Sequence, residues 1–382
     1  MDRRTGLPVV GMVGAGQLAR MTHQAAIALG QSLRILATDP AESAALVGAD
    51  VVLGDHRSLT DLRAFAAGCD VVTWDHEHVP AEHIKALAAD GVTALPGAAA
   101  LLFAQDKLAM RARLTELGVA GPAWAAVARP ADVSAFGAEH GWPVVLKAVR
   151  GGYDGRGVWV VDDAAAASAV LDAGVDLLAE QHVAMRAELA AVVARSPYGQ
   201  VAAWPVVQTV QRDGICVEVL APAPGLAGDR AVRAQQQAIA LAAALDVVGV
   251  LAVELFDTGT GLLVNELAMR PHNSAHWTIE GSRTSQFEQH LRAVLDYPLG
   301  ATTMTAPAVA MANVLGGPPG GPALDERVHH LMAGWPGVKL HLYGKQVRPG
   351  RKIGHVTALG DDPERTRADA VAAARYLSEG QR

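Results

Sequence analysis

The stretch PVVLKAVRGGYDGRGVWVV, residues 143–161, is the most informative part of the sequence. Its first aliphatic run predicts a buried strand that ends at Lys147, and the apolar run from Val158 predicts a second strand. The four glycines between the runs free the turn to bring backbone N–H groups close to an anion. Lys147 adds a fixed positive charge beside that turn. The segment therefore predicts a phosphate-holding loop, although four glycines alone would also fit an ordinary hairpin.

Length and composition limit the classes to which the protein can belong. With 382 residues, of which 51 % are hydrophobic and 19 % charged, the chain can form two or three domains with large cores. No apolar run is long enough to cross a bilayer, and the segment MDRRTGLPVV lacks the longer hydrophobic region of a secretory signal. We therefore expect a cytoplasmic protein with no membrane partner.

Charge and cysteine content argue against two further classes. The formal net charge of −7 argues against a surface that coats nucleic acid. The two cysteines, Cys69 and Cys216, cannot build a disulfide framework, or a zinc site without other ligands. We expect both thiols to be reduced and to lie in the core.

The first hundred residues have the pattern of a nucleotide-binding α/β fold. An apolar strand at residues 9–13 is followed by the turn GAGQLA at residues 14–19 and then by a helical pattern. Further apolar runs predict an alternating parallel sheet. The turn matches the G-x-G-x-x-A dinucleotide fingerprint, and Asp39 lies near the distance at which an acidic residue would bind a ribose. An NAD-dependent oxidoreductase is therefore one alternative, although such a helix N-terminus would equally suit a substrate phosphate.

A polar segment, WDHEH at residues 74–78, follows the next predicted strand of this sheet. The carboxyl ends of parallel strands open onto a ligand crevice, which makes Glu77 a candidate binding residue. The alternative is a solvated loop. A zinc site is less favoured, because alternating histidines without a thiolate match known ligand spacings poorly.

Two carboxylates are predicted to meet across a hairpin. The runs LAVELF at residues 251–256 and LLVNEL at residues 262–267 read as strands joined by a glycine-containing turn. Antiparallel folding about Thr260 brings Glu254 opposite Glu266, where the two charges repel unless cations lie between them. Mg²⁺ with ATP phosphates satisfies this arrangement, and a solvent-facing pair is the alternative.

Two other segments carry candidate binding groups. The segment RPHNSAHW, residues 270–277, begins four residues after Glu266. Its Arg and Asn donors can clamp an anion and its histidines can move a proton near neutral pH, unless the loop satisfies its own polar groups. The segment LLAEQHV, residues 177–183, predicts a strand and connector in which Glu180 is a candidate for ribose hydroxyls.

Together these motifs resemble the ATP-grasp superfamily, and within it the N5-carboxyaminoimidazole ribonucleotide synthetases of purine biosynthesis. The resemblance covers nearly the whole chain. It rests on four ordered motifs: GAGQLARM at residues 14–21, GGYDGRG at 151–157, NELAMRPHNSAHWT at 265–278 and VRPGRKIGH at 347–355. Four motifs in order are far more specific than one glycine loop.

The resemblance implies a set of ATP and metal contacts. Lys107 and Lys147 would contact the phosphates, and the covering loop would consist of Gly152, Tyr153, Asp154, Gly155, Arg156, Gly157 and Val158. The adenine pocket would be lined by Glu180, Gln181, His182 and Val183, with Glu188 on the ribose and Gln211 where a histidine that helps to bind ATP can occur. Glu254 and Glu266 would hold Mg²⁺, with Asn265 alongside.

The resemblance also implies contacts to 5-aminoimidazole ribonucleotide. These would come from Gln17, Leu18, Glu77, Tyr153, Asp154, Arg156, Arg270, His272, Asn273 and Ser274. Its phosphate would be bound by Lys345, Arg351 and Lys352, which charge pattern alone would read as a solvated basic turn. The family precedent is activation of bicarbonate by ATP as carboxyphosphate, then carboxylation of the amine. Asp154 and His272 are the candidates for proton transfer, and Arg270 is the candidate for charge stabilisation.

The implied architecture is an ATP-grasp fold of mixed α/β and α+β class. A Rossmann-like pre-ATP-grasp domain would span residues 1–104, the ATP-grasp domain 105–300, and a small β-rich C-terminal domain 301–382, with ATP between two β-sheets. The family commonly forms dimers, so a homodimer is expected. A formate-dependent glycinamide ribonucleotide transformylase, another carboxylate ligase or a non-catalytic nucleotide-binding regulator would share much of this machinery.

Overall fold

The computed structural model describes residues 1–152, 155–318 and 321–380. Tyr153 and Asp154, two of the predicted loop residues, lie outside the described ranges. Within those ranges, no helix is both long and apolar enough to cross a membrane.

The N-terminal part folds around a four-stranded parallel sheet. Its strands are β1 (Val9–Val13), β2 (Ser32–Ala37), β3 (Asp50–Leu53) and β4 (Val71–Trp74), and its helices are α1 (Gln17–Ala28), α2 (Leu59–Ala66), α3 (Ala81–Ala89) and α4 (Ala98–Gln105). The strand order is β3-β2-β1-β4. All four residues of β4 are buried, as expected for a parallel strand covered on both faces. The predicted parallel sheet is therefore present.

A second, smaller sheet contains the segment quoted first. Helix α5 (Lys107–Glu116) leads into the strands β5 (Trp124–Val127), β6 (Val144–Ala148), β7 (Val158–Val161) and β8 (Leu177–Gln181), with the helices α6 (Pro130–His140) and α7 (Ala164–Leu171). The sheet is antiparallel in the order β5-β8-β6-β7. Strand β6 pairs directly with β7, so the glycine-rich turn connects adjacent strands as the sequence predicts.

The largest sheet has nine strands and forms the platform of the molecule. They are β9 (Ala187–Arg195), β10 (Val201–Ala203), β11 (Val207–Arg212), β12 (Ile215–Ala221), β13 (Gly249–Asp257), β14 (Leu262–Ala268), β15 (Ala308–Leu315), β16 (Lys339–Leu342) and β17 (Lys352–Gly360). The helices that pack around this sheet are α8 (Gly228–Ala244), α9 (Thr278–Gly281), α10 (Gln286–Val294), α11 (Leu324–Gly334) and α12 (Pro363–Glu379), and a short 3₁₀ turn covers Asn273–Ala275.

The C-terminal strands extend this large sheet instead of forming a sheet of their own. The order is β14-β13-β9-β11-β12-β15-β17-β16, with β10 on β9. Strand β15 pairs with β12 from Glu218↔Ala312 to Ala221↔Val309, and α12 packs on β15 and β17. Pairing with β15 satisfies the backbone groups that β12 would otherwise leave open at an edge. The C-terminal segment is therefore continuous with the platform that carries the acidic hairpin.

Candidate active site

The acidic hairpin is formed by β13 and β14, and Glu254 lies opposite Glu266 in its register. Immediately after this pair the register shifts, because Leu255 pairs with Val264 and Asn265 is left without an opposite residue. This is a β-bulge, which re-aims side chains on the bulged strand. A regular strand would point neighbours to opposite faces, whereas here Asn265 and Glu266 both reach lysines of the candidate ATP site.

Two lysines connect the hairpin to the rest of the site. Lys107, the first residue of α5, donates from Nζ to Oε1 of Glu266 at 3.1 Å. Lys147, on β6, donates from Nζ to Oδ1 of Asn265 at 2.9 Å and lies 2.7 Å from Oε2 of Glu180. Both lysines therefore lie where the smaller sheet meets the hairpin, next to the two predicted metal carboxylates.

The electrostatics of the hairpin favour a cation. Burial, with the nearby charges of Glu266 and Glu188, raises the pKa of Glu254 to about 7. Among the described residues, no group of three or more His, Cys, Asp and Glu side chains is placed to hold a metal ion by itself. Mg²⁺ fits this donor set, because it needs only one or two carboxylates when substrate phosphates complete its octahedron.

Glu180 lies buried between two cations. Its side chain is 2 % exposed, and its two oxygens are occupied by Arg111 and Lys147. These two cations outweigh the effect of burial and lower the pKa of Glu180. The carboxylate therefore stays charged and is paired with two cations, and its contact with ribose hydroxyls stays a prediction. The adenine pocket proposed for residues 180–183 would use the backbone at this position.

Arg111 is a site residue that sequence reasoning missed. Asp106 caps α5 by accepting from the Ala109 N–H at 2.9 Å, which begins the helix at Lys107 and places Arg111 one turn later on the same face. The Arg111 side chain is 1 % exposed and contacts Glu180 together with two backbone carbonyls of β14. Every residue has a backbone carbonyl, so the sequence does not show which carbonyl an arginine will bind. The four-residue spacing of Lys107 and Arg111 on one helix face was the one available signal that Arg111 lies at the site.

Glu188 and Gln211 lie together on the large sheet. Glu188 on β9 is opposite Thr209 of β11 and Phe256 of β13. Gln211 hydrogen-bonds the Glu188 carboxylate, and burial nevertheless raises the pKa of Glu188. Gln181, His182 and Val183 lie at the end of β8 and in the connector that follows it. These residues surround the predicted nucleotide site, and their roles stay predictions.

The donor-rich loop after β14 lies against both the hairpin and the N-terminal domain. Nε of Arg270 donates to Oε2 of Glu77 at 2.7 Å, which ties the loop to the segment after β4. His272 Nε2 lies 3.4 Å from Oε1 of Glu254. The predicted substrate residues Glu77, Arg270 and His272 are thus close to a predicted metal ligand.

Gln286 is a second residue that sequence reasoning missed. It is fully buried at the start of α10, accepts from the His272 N–H at 2.7 Å, and donates to the His272 carbonyl at 2.8 Å. Its amide nitrogen also lies 3.0 Å from Nδ1 of His276. This pair of hydrogen bonds fixes the His272 backbone.

Within this loop, His272 and Asn273 have different electrostatic and hydrogen-bonding environments. Burial, with the positive charges of Arg270 and Lys352, lowers the pKa of His272 to about 3, so its imidazole is neutral near pH 7. The proton-transfer role of this histidine stays a prediction. Within the described ranges, both polar atoms of the buried Asn273 amide lack a nitrogen or oxygen partner. An unpaired buried amide is costly unless a ligand satisfies it.

The N-terminal glycine turn is filled by the protein itself. The buried carboxylate of Asp75 accepts hydrogen bonds from the Gly16 and Ala19 N–H groups at the start of α1. A Cβ at Gly16 would lie 2.5 Å from Oδ2 of Asp75, so this glycine permits the approach of a side chain. The dinucleotide fingerprint at residues 14–19 is therefore misleading, because a protein carboxylate sits where a pyrophosphate would bind.

Gln17 and the basic C-terminal turn meet across the molecule. Lys345, in the segment between β16 and β17, donates to Oε1 of Gln17 and lies 5.5 Å above the ring of Tyr343. Leu18, in contrast, packs its side chain in the core with Met21, Phe287 and Tyr343, so only its backbone is available to a substrate.

The other two residues of the basic turn lie close by. Arg351 is exposed, and its guanidinium donates to the Gln346 carbonyl at 3.4 Å. Lys352 begins β17 and contributes positive charge at His272. Lys345 and Lys352 thus place positive charge near Gln17 and His272, two of the predicted ribonucleotide contacts.

The described part of the central loop packs on the large sheet. Gly155 has φ +76°, and a Cβ there would lie 3.0 Å from Cα of Gly214 in the turn between β11 and β12. Gly157 also has a positive φ, and its carbonyl accepts from the Ala148 N–H at 2.8 Å. Arg156 lies between them, and Val158 begins β7. The loop is therefore anchored at residue 155 by backbone contact with the platform.

Comparison with family models gives three consecutive matches. The ribonucleotide synthetase preATP-grasp domain matches residues 7–105, the ATP-grasp domain matches 112–287, and the phosphoribosylaminoimidazole carboxylase C-terminal domain matches 309–369. The fold and the acidic hairpin described above lie in the corresponding parts of the chain.

Similar proteins and solved structures cover the whole chain. The N5-carboxyaminoimidazole ribonucleotide synthase of Mycobacterium tuberculosis is 58 % identical over 98 % of this chain and 89 % of that protein, and that of Corynebacterium ammoniagenes is 50 % identical over 97 % and 92 %. The Thermus thermophilus synthetase structure has a TM-score of 0.86 at 38 % identity, covering 97 % of this chain and 98 % of its own. The Aspergillus clavatus enzyme in complex with ADP and 5-aminoimidazole ribonucleotide has a TM-score of 0.88 at 30 % identity, with coverages of 97 % and 98 %. This chain therefore belongs to the N5-carboxyaminoimidazole ribonucleotide synthase family of ATP-grasp enzymes.

Proposed function

We propose that this chain carboxylates 5-aminoimidazole ribonucleotide with bicarbonate in an ATP-dependent reaction that releases ADP and phosphate, a step of purine biosynthesis. The observation that carries the assignment of residues is the 3.4 Å approach of His272 Nε2 to Glu254 Oε1. It joins the substrate loop to the carboxylate pair proposed for metal binding. Phosphoryl transfer and carboxylation can therefore occur in one place.

The first half of the reaction activates bicarbonate. A bicarbonate oxygen attacks the γ-phosphorus of ATP, the bond to the β-phosphate oxygen breaks, and carboxyphosphate and ADP form. Glu254 and Glu266 would hold Mg²⁺, which when bound neutralises charge on phosphate oxygens. Lys107 and Lys147, which already reach the hairpin, would contact the same phosphates.

The second half transfers the carboxyl group to the amine. The exocyclic nitrogen bonds to the carboxyl carbon, inorganic phosphate leaves, and the nitrogen loses a proton. Arg270 would stabilise negative charge, while the Asn273 amide, which has no nitrogen or oxygen partner among the described residues, would bind the substrate. Closure of the glycine loop would keep water from the labile intermediate.

Proton transfer from the amine is assigned to Asp154 and His272. The position of His272 between the substrate loop and Glu254 is the observation that supports its part in this assignment. We expect Asp154→Asn to lower kcat by about a hundredfold with little change in KM, and His272→Asn to raise KM for the ribonucleotide as well. Near-normal turnover and normal substrate binding in both variants would remove the assignment.

The overall reaction is tested with purified protein, MgATP, labelled bicarbonate and 5-aminoimidazole ribonucleotide. We expect ADP release only when all three substrates are present, together with an acid-labile labelled product. A parallel reaction with formate and glycinamide ribonucleotide tests the transformylase alternative. ADP release in that reaction, and none with the aminoimidazole, would overturn the proposed substrate.

A homodimer and the three-domain division at residues 104 and 300 are further proposals. The Glu77–Arg270 contact and the continuous large sheet indicate that the three parts act as one unit. Light scattering measures the mass of the particle, and a monomeric mass would contradict the homodimer. Limited proteolysis locates the domain boundaries, and cleavage within β4 or β13 would contradict the proposed division.

A further inference from the structure

Arg111 belongs to a closed ring of contacts beneath the proposed ATP site. Its Nε donates to Oε1 of Glu180 at 2.6 Å, and Oε2 of the same carboxylate pairs with Lys147 at 2.7 Å. Lys147 donates to the Asn265 side chain at 2.9 Å, and Arg111 Nη2 donates to the Asn265 carbonyl at 2.7 Å. Four elements, α5, β8, β6 and β14, meet in this ring. We infer that Arg111 is a positioning residue that keeps the Lys147 charge available to ATP and holds the β14 bulge in place.

Arg111 sets the net charge of the group around Lys147. Glu180 is 2 % exposed and carries one negative charge, whereas Arg111 and Lys147 carry two positive charges around it. The group therefore has a net charge of about +1, which is available to a phosphate at Lys147. Without Arg111, Glu180 and Lys147 would form a one-to-one pair, and Lys147 would lose most of its attraction for an anion.

Arg111 also binds the backbone of the acidic hairpin. Nη1 of Arg111 donates to the Val264 carbonyl and Nη2 to the Asn265 carbonyl, each at 2.7 Å. These two residues lie at the bulge, immediately before Glu266. The bulge leaves the Asn265 carbonyl displaced from the regular ladder, and a charged donor is a strong partner for it. Arg111 thereby fixes the strand that presents Asn265 and Glu266.

The contacts at this position require an arginine. Its three nitrogens serve three acceptors on two different elements, and the planar guanidinium holds these donors in a fixed fork. A lysine would supply the charge from a single nitrogen and could not span the same acceptors. Charge and geometry can therefore be separated by substitution.

The inference rests on the proposed function and can fail independently of it. We expect Arg111→Met to weaken MgADP binding, and to raise KM for ATP and the Mg²⁺ concentration for half-maximal rate, by about tenfold each. KM for the ribonucleotide should change less than twofold. Arg111→Lys should keep part of the nucleotide affinity but show the same increased Mg²⁺ requirement. The matched control is Arg113→Met on the same helix, where Arg113 is half-buried and pairs with the exposed Glu116.

A double substitution gives the sharpest test. Glu180→Gln in the Arg111→Met background restores the net charge of about +1, so MgADP affinity measured by calorimetry should recover at least in part. In the wild-type background, Glu180→Gln leaves two buried cations together and should reduce thermal stability. A residue that only supports the fold would make the two losses add.

Two outcomes would overturn the inference: an Arg111→Met protein whose ADP affinity and KM for ATP stay within twofold of wild type, or no recovery in the double variant. If Arg111→Met does not fold, the Arg111→Lys increase in Mg²⁺ requirement decides. A wild-type protein that binds MgADP but forms no carboxylated product would remove the proposed function and leave the Arg111 inference to be judged by calorimetry.

Discussion

Glu254 has the most unusual environment among the acidic residues of the candidate site. Its pKa is raised from 4.5 to about 7 by burial and by the charges of Glu266 and Glu188. The folded chain thus holds a proton that the unfolded chain releases between these pH values. Stability contributed by this proton is present below pH 4.5 and is lost as the pH rises through 7.

We therefore predict that Glu254→Gln stabilises the metal-free protein at pH 8 relative to wild type, by on the order of 1–3 kcal/mol in the free energy of unfolding. The difference between the two proteins should shrink as the pH falls towards 5. Thermal or denaturant unfolding in EDTA across this range measures it, and the comparison cancels the histidines that titrate in the same window.

Glu116→Gln is the control, because Glu116 is exposed and pairs with Arg113 on the surface of α5. Parallel stability curves for wild type and Glu254→Gln would show that the carboxylate does not hold the extra proton. Added MgADP should abolish the advantage of Glu254→Gln, since a bound cation would restore the charged form in the wild-type protein.

At the scale of single residues, side chains that bind ligands are easier to predict from the sequence than side chains that bind the protein backbone. Glu254 and Glu266 were predicted as a facing pair because each lies in an apolar run beside a turn, and the register confirms that pairing. Arg111 and Gln286 were missed because their acceptors and donors include main-chain groups distant in sequence. Asp75 was assigned no role, although it occupies the N-terminus of α1.

Among the structural elements, the glycine loop and the acidic hairpin depend on irregular backbone. The two-strand pattern around each was readable from alternation and turn residues. The bulge in β14 was not, since a pairing shift depends on what each strand meets in three dimensions. That shift decides which side chains of the hairpin reach the two lysines.

The loop between β6 and β7 gives a prediction at this scale. Gly155→Ala would add a Cβ 3.0 Å from the Gly214 backbone and would also strain a residue at φ +76°. We expect the loop to lose its backbone contact with the β11–β12 turn. The value of kcat/KM for ATP should then be about tenfold lower, and ADP should dissociate faster.

Gly174→Ala is the matched control for this substitution. Gly174 also has a positive φ, +68°, but a Cβ there meets nothing within 4 Å. It should cost about 1 kcal/mol of stability and leave the kinetics unchanged. Equal kinetics for the two variants would show that backbone contact at residue 155 does not matter to catalysis.

For the whole molecule, the three parts share hydrophobic cores and are also joined by polar contacts that lie near the candidate site. Glu77 from the N-terminal domain pairs with Arg270 after β14, and Lys345 from the C-terminal segment pairs with Gln17 on α1. The predicted ribonucleotide contacts are therefore distributed over all three parts. The mixed α and β class and the three-part order were readable from the sequence, whereas the extension of the large sheet by β15, β17 and β16 was not, because strand neighbours distant in sequence leave no local signal.

We predict that Glu77→Gln raises KM for the ribonucleotide about tenfold while MgADP affinity stays within twofold of wild type. Loss of the charge on Glu77 frees Arg270 from its fixed orientation at the domain boundary. Steady-state kinetics and calorimetry measure the two effects separately. Glu82→Gln is the control, because Glu82 is exposed on α3 of the same domain. A larger change in nucleotide affinity than in KM for the ribonucleotide would contradict this prediction.

The carboxylate of Asp75 at the start of α1 acts as a resident counter-ion for the helix dipole. This carboxylate occupies the N–H groups that would otherwise attract an anion, and its own negative charge would repel an incoming pyrophosphate. A glycine motif of this kind reports only that some oxygen comes close to the main chain. Asp75→Asn should remove the repulsion without creating a nicotinamide site. In other Rossmann-like chains, an acidic residue directly after the neighbouring strand would indicate that the glycine turn does not bind a dinucleotide.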